Sequence, residues 1–350
     1  MRLFTALPVI NDLAASRQYQ ESPRDAERIL ARVFKIRARV LGPTHHETLC
    51  SMAELASLYH DQRRWKEAAA LDIMVMEGRI RSLGHSHPDT LSASLDLGVT
   101  LSMLGYEDQA EVLKSRVMQL SSRSMGDEHS FTLHAMTSLA ATCRNKGKLR
   151  EAAELGIRVM ELKSKTLGQE HYDTLLTTAE YAMTLSEQGQ HDRAELLEVQ
   201  IVDVSLKTLG EQDPFTLNSM INLAVTYGNQ GHYHKAENLL TQAIASAAAA
   251  TSDTNQVMLQ AMVNLASIYG NQGSWKQAEG LFAQVVELRS KVLGRTHADT
   301  VAAMEDLVLA YQSQGRLQEA DELRLRALGM DEGGLEDEDF AKLVDMIDIG

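Results

Sequence analysis

The stretch LGHSHPDTL, residues 83–91, returns along the chain every 42 residues with its leading Leu-Gly nearly intact. The pair stands at Leu41-Gly42, Leu83-Gly84, Leu167-Gly168, Leu209-Gly210 and Leu293-Gly294, and as Met125-Gly126 with one substitution. Only the slot at Thr251-Ser252 lacks the glycine, and the spacing survives even there. A fixed period of this size implies stacked supersecondary units, each burying its apolar face on its neighbours.

The unit can be read outward from the glycine. Six residues on stands a threonine (Thr48, Thr90, Thr132, Thr174, Thr216, Thr300), often after Asp or Glu, a short polar acceptor that predicts a helix N-cap. Apolar residues follow at helical spacing, as in Leu217, Met220, Ile221, Ala224 and Tyr227, which predicts a helix of about fourteen residues. Gly105, Gly147, Gly189, Gly231, Gly273 and Gly315 then close it, with Arg63 the exception; glycine there suits a left-handed C′ residue and a tight turn. Every copy next has an alanine at one fixed place (Ala68, Ala110, Ala152, Ala194, Ala236, Ala278, Ala320), small enough for two helices to approach closely. A second helix runs back to the next Leu-Gly. Ala26 and Leu13-Ala14 fall on the same grid, so the chain is expected to hold about eight helix pairs, the first irregular.

NLASIYGNQGSWKQAEGLF (264–282) and LGHSHPDTL (83–91) resemble the tetratricopeptide repeat in its 42-residue, kinesin light chain-like form. MEGRIRSLGHSHPDTL (76–91) and NQGSWKQAE (271–279) are also similar to the repeat arrays of fungal nucleotide-binding sensor proteins. The resemblance implies an all-α, right-handed superhelical solenoid of about eight antiparallel helix pairs over residues 1–330, with the first helix of each pair lining an inner groove. Residues 331–350 form an acidic tail in which Phe340, Leu343, Val344 and Ile347 recur at helical spacing after Gly333-Gly334. A short capping helix is expected there, with insertion into the groove as the alternative.

Composition narrows the function. The chain has 350 residues and a net charge of −14, which argues against a nucleic-acid-binding surface. No run of 18 apolar residues suggests a membrane span, and the start, MRLFTALPVINDLA, has no signal-peptide cleavage site. Cys50 and Cys143 fall two repeats apart, roughly 20 Å in such a stack, which is too far for a disulfide and consistent with a cytoplasmic protein. No phosphate loop, H-E-x-x-H, C-x-x-C or G-x-S-x-G is present, so no catalytic residue, cofactor or metal is assigned. His45, His87, His129, His171 and His297 each follow the repeat glycine or its equivalent by three residues, which gives them a loop role. Arg24, Arg28, Arg32, Lys35 and Arg39 form a basic stripe, read as a solvated outer face or an acidic-partner docking surface.

The candidate binding residues are those that vary at fixed phase on the first helices. Asn218, Asn222 and Asn229 share one helix face, and Gln260, Asn264 and Asn271 occupy the same places one repeat later. Carboxamides offer a donor and an acceptor together, which suits the main chain of an extended peptide. The competing role is a ladder in which Asn222 bonds Asn264. Equivalent positions hold Glu54, Asp96 and Glu180, with Arg144 adding a positive charge. The expected ligand is a protein or peptide with basic residues around a neutral core. The function expected is that of a non-catalytic protein- or peptide-binding scaffold. The alternatives are a ligand-sensing arm of a larger signalling protein, or an enzyme with its active site in the groove.

Overall fold

The computed structural model describes residues 23–250 and 255–327, all in helices and short turns, with no strand among the described residues. The order is α1 (Pro23–Leu41), α2 (His46–Asp61), α3 (Trp65–Leu83), α4 (Pro88–Met103), α5 (Glu107–Met125), α6 (Ser130–Asn145), α7 (Leu149–Leu167) and α8 (Tyr172–Glu187), followed by α9 (His191–Thr208), α10 (Pro214–Asn229), α11 (Tyr233–Ala249), α12 (Asn255–Asn271), α13 (Trp275–Leu293), α14 (Ala298–Ser313) and α15 (Leu317–Ala327). Even-numbered helices are the first of each pair and odd-numbered ones the second. Two compact units divide this series, one ending at Gln190 and one beginning at His191. The irregular first entry, the slot at Thr251-Ser252 and the tail from 331 lie outside the described residues.

Each unit is held by the residues the period marks. Ala68, Ala110, Ala194, Ala236, Ala278 and Ala320 are fully buried and Ala152 is 1% exposed, so consecutive helices meet with almost no side chain between them. Larger residues fill the space beside these contacts, as where Leu240 packs with Ile221, Ala224, Leu265 and Ile268. Beyond chain neighbours, the approaches that stand out are between first helices, α4 with α6 and α10 with α12. That crowding puts the first helices on the inner side of each unit's bend.

The junction glycine has a specific duty. Gly84, Gly126, Gly168 and Gly294 end their helices at φ between 85° and 95° with ψ between 159° and 170°, a region open essentially only to glycine. The N-cap expected at the threonine is instead the histidine three residues earlier. His45, at φ −67° and ψ 140°, accepts from the backbone N–H of Glu47 through Nδ1 at 3.2 Å. His87, His129, His171 and His297 repeat this, and Asp213 does so in a copy without histidine. Thr48 and Thr300 lie one turn further in, fully buried, and donate to Gly42 O and Gly294 O at 2.8 Å. An N-cap needs extended backbone, and the threonines are already helical.

The turn within each pair follows expectation. Gly105, Gly147, Gly189, Gly231, Gly273 and Gly315 adopt φ between 73° and 80°, and around Gly105 the N–H of Tyr106 donates to Leu101 O and that of Gly105 to Ser102 O. Arg63 takes the same left-handed shape at φ 56° without being glycine. A side chain there costs about 1–2 kcal/mol, partly offset because glycine loses more chain entropy on folding. Arg63→Gly is expected to raise stability by up to about 1 kcal/mol in urea unfolding. A drop in stability would remove the strain argument.

Candidate functional site

The candidate residues on the first helices share one phase in each unit. Glu54, Glu180, Asn222 and Asn264 are half-buried, while Asp96, Asn218, Asn229, Gln260 and Asn271 are exposed. Burial nonetheless pushes the carboxyls of Glu54, Asp96 and Glu180, and of Asp306 at the same phase in α14, above the usual carboxylate range. A side chain open to water yet desolvated by surrounding protein lies in a recess, here the inner face of the first helices. In α10 and α12 the recess is amide-rich. Asn218 donates to Pro214 O at 2.7 Å on its own helix, and Gln260 donates to Asn264 Oδ1 at 3.3 Å. No hydrogen bond joins Asn222 to Asn264 among the described residues, so the ladder between them does not form.

The acids of this face are not free charges. Seventeen residues before each stands a cation on the preceding second helix: Arg37 for Glu54, Arg79 for Asp96, Lys163 for Glu180 and Arg289 for Asp306. Each cation draws its acid's carboxyl back down against the burial effect. The same four donate to first-turn carbonyls of the next helix, at Glu47 (3.3 Å), Asp89 (2.8 Å), Asp173 (3.3 Å) and Asp299 (2.8 Å). Where the second helix has Ser121, Ser205 or Ala247, the first helix has neutral Ser138, Asn222 or Asn264. Charge therefore enters this face in matched pairs. Glu54, Asp96 and Glu180, read from the first helices alone, thus come with a cation on the preceding helix.

A second column escaped the sequence reading. Leu30, Asp72, Lys114, Gly156, Glu198, Leu240 and Phe282 share one phase of the second helices, and the six with side chains are all 5% exposed or less. The charged members of this otherwise apolar position face threonines 28 residues on. Thr100 Oγ1 donates to Asp72 Oδ2 at 2.6 Å, Lys114 Nζ donates to Thr142 Oγ1 at 2.7 Å, and Thr226 hydrogen-bonds Glu198. Opposite the apolar members stand Leu58, Ile268 and Ala310. Aligning the copies by phase would have revealed both columns; reading one helix at a time did not. His60 Nε2 also lies 3.1 Å from Asp72 and 2.8 Å from Thr100. The hydrogen bond to Asp72 raises the His60 pKa. Both partners use the same ring nitrogen, so the ring does not relay a proton between them as a nucleophile–base–acid chain requires.

At Gly156 the column has no side chain. A shallow, open cleft lies there between α6, α7 and α8, lined by Arg144, Gly156, Glu180, Tyr181 and Thr184 with Ala140 and Ala141. Arg144 is half-buried, its Nε 3.8 Å from Glu187 Oε1. Among the described residues, Glu111, Cys143 and Glu151 form one group able to approach a metal ion, but Glu111 already accepts from the ammonium groups of Lys146 and Lys148. The basic stripe of α1 is exposed throughout, with Arg28 3.5 Å from Asp25. No described helix is long and apolar enough to cross a membrane.

Two family models, both described as tetratricopeptide repeat, match residues 5–72, 50–120 and 257–333, and residues 132–173 and 216–251. A search of curated proteins finds no match. Among solved structures, the chain is similar to the nearly identical TPR-like repeats of a protein described as a kinesin light chain, from Podosopora anserina: 29% identity over 59% of this chain and 97% of that one, at a TM-score of 0.54. It shares the fold of BtubC (BKLC) from P. vanneervenii at 18% identity, covering 70% of this chain and 92% of that one, with a TM-score of 0.52. It also shares the fold of the apo quorum sensor NprR from B. thuringiensis at 13% identity, covering 93% and 86%, with a TM-score of 0.67.

Proposed function

Because the chain belongs to the tetratricopeptide repeat family, we propose that it is a non-catalytic scaffold that binds a protein or peptide along the inner face of its first helices. The observation that carries this reading is the amide row of α10 and α12. Asn222, Asn229 and Asn271 make no side-chain hydrogen bond among the described residues, in a recess whose acids are charge-matched elsewhere. An extended main chain needs such donor–acceptor pairs and no net charge. The neutral stretch fits the ligand's core, and basic ligand residues would have to compete with Arg37, Arg79, Lys163 and Arg289 for the acids. That NprR is a quorum sensor agrees with a ligand-receiving role for the shared fold. A sensing arm of a larger signalling protein would use the same face.

A randomised peptide library displayed on phage and panned on the full chain tests the reading. Peptides enriched on the parent should bind the Asn222→Ala/Asn264→Ala variant about tenfold or more weakly, the value of one to two net hydrogen bonds. Unchanged affinity, with the variant folded by circular dichroism, would place the ligand elsewhere.

A further inference from the structure

The cleft at Gly156 lies where the preceding repeat seats a buried lysine. One repeat earlier, Lys114 fills the equivalent space, 3% exposed, its ammonium donating to Thr142 Oγ1 (2.7 Å), Ser102 Oγ (3.1 Å) and Ser138 O (3.5 Å). Advancing each of these by 42 residues gives Gly156 for the lysine, and Thr184, Arg144 and Glu180 for its partners. Those four residues all line the cleft. The lysine is gone and its threonine partner remains as Thr184, while Arg144, Glu180 and Tyr181 stand where the preceding repeat has Ser102, Ser138 and Leu139.

The lining is rich in acceptors. Thr184 donates its hydroxyl proton to Glu180 O at 2.9 Å, and Thr137 donates to Leu133 O at 3.0 Å, so each hydroxyl oxygen presents lone pairs to the cleft. Glu180 adds a carboxylate where the neighbouring repeat has Ser138. Arg144 brings a cation to the lining, its Nε 3.8 Å from Glu187 Oε1. Ala140, Ala141 and the ring of Tyr181 supply apolar wall for a methylene stem; a Cβ at Gly156 would lie 3.1 Å from Tyr181 Cδ2.

We propose that this cleft is a subsite for a primary ammonium on an aliphatic stem, a lysine side chain of the bound ligand, seated against Thr184 and Glu180 as Lys114 is seated against Thr142 and Ser138. The subsite deepens the groove reading above and rests on it for the identity of the ligand as a peptide. Arg144 opposes the incoming cation, so it sets a ceiling on affinity. Burial and the two nearby cations act on Glu180 in opposite senses, burial prevailing; an ammonium in the cleft would draw its carboxyl down.

The probe is N-acetyl-lysine-N-methylamide, titrated into the full chain labelled at alanine and threonine methyls and followed by NMR. Norleucine and N-acetylglutamate methylamides serve as controls. The lysine probe should shift Ala140, Ala141 and Thr184 with a dissociation constant on the order of 1 mM. Glu180→Gln, which leaves packing intact, should weaken it about tenfold. Arg144→Ser, the residue of the preceding repeat, should tighten it, and Gly156→Leu should abolish it. Equal shifts from norleucine, or stronger shifts from the glutamate probe, would overturn the assignment, as would an unaffected Glu180→Gln. Panned peptides that bind through Asn222 while the lysine probe shifts nothing would overturn the subsite and leave the groove. A lysine-probe shift without peptide binding would support the subsite and remove the groove reading.

Discussion

Replacing Glu198 by glutamine should stabilise the second unit by up to about 3 kcal/mol at pH 8 and change it little at pH 4. Glu198 is 4% exposed on α9, and burial pushes its carboxyl up to about 7, against a partial lowering by the hydrogen bond from Thr226. The second carboxyl oxygen, Oε2, has no hydrogen-bond partner among the described residues. In the folded unit the proton is therefore held at a pH where the unfolded chain has released it. The stability this proton confers is complete below the ordinary glutamate value of 4.5 and is lost as pH rises to about 7. Above that, a bare charge is buried. Glutamine imitates the protonated form at every pH, and the cost of its extra N–H donors sets how much of the 3 kcal/mol appears. Urea titrations between pH 4 and 8, with hydrogen exchange reporting on α9 and α10, should show the parent falling and the variant level. Parallel profiles would mean that Glu198 is solvated.

Leu240 occupies the same phase one repeat later and should behave oppositely. It is fully buried among Ile221, Ala236, Leu265 and Ile268. Leu240→Ala should cost about 2–5 kcal/mol through lost packing and the cavity left behind. Leu240→Glu should cost more, because the carboxylate meets Ile268 where Glu198 meets Thr226. Adding Ile268→Thr should recover part of that loss, and the double-mutant cycle should give a favourable coupling of about 0.5–3 kcal/mol. A coupling near zero would show that the threonine column does not support its buried charges.

The stack was legible because it depends on periodic features: the junction glycines, the fixed alanines and the closing glycines each answer a steric demand repeated in every copy. The histidines were correctly given to the loops, but their capping duty was assigned to the threonines. Sequence alone did not separate the extended residue from the one already in the first turn. The shared phase of Glu54, Asp96, Glu180, Asn222 and Asn264 was also readable, since they fall on the period. Their charge state was not, because each acid's cation sits on another helix, seventeen residues away across the junction. The buried column of Asp72, Lys114 and Glu198 was hidden for the same reason. A charged residue in a second helix reads as solvent-facing until its threonine partner, one helix further on, is known.

The junction glycines carry a consequence for heredity. Gly42, Gly84, Gly126, Gly168, Gly210 and Gly294 share one backbone shape, with φ between 85° and 96°, so a gene that gains or loses a segment between two of them rejoins the chain without steric penalty. The cation–acid pairs straddle that joint. Loss of residues 43–84 would bring Arg37 opposite Asp96 and keep the pairing, whereas loss of residues 85–126 would leave Arg79 facing Ser138. Recombination in this array is open by shape at these six junctions, and charge matching across the joint distinguishes its products.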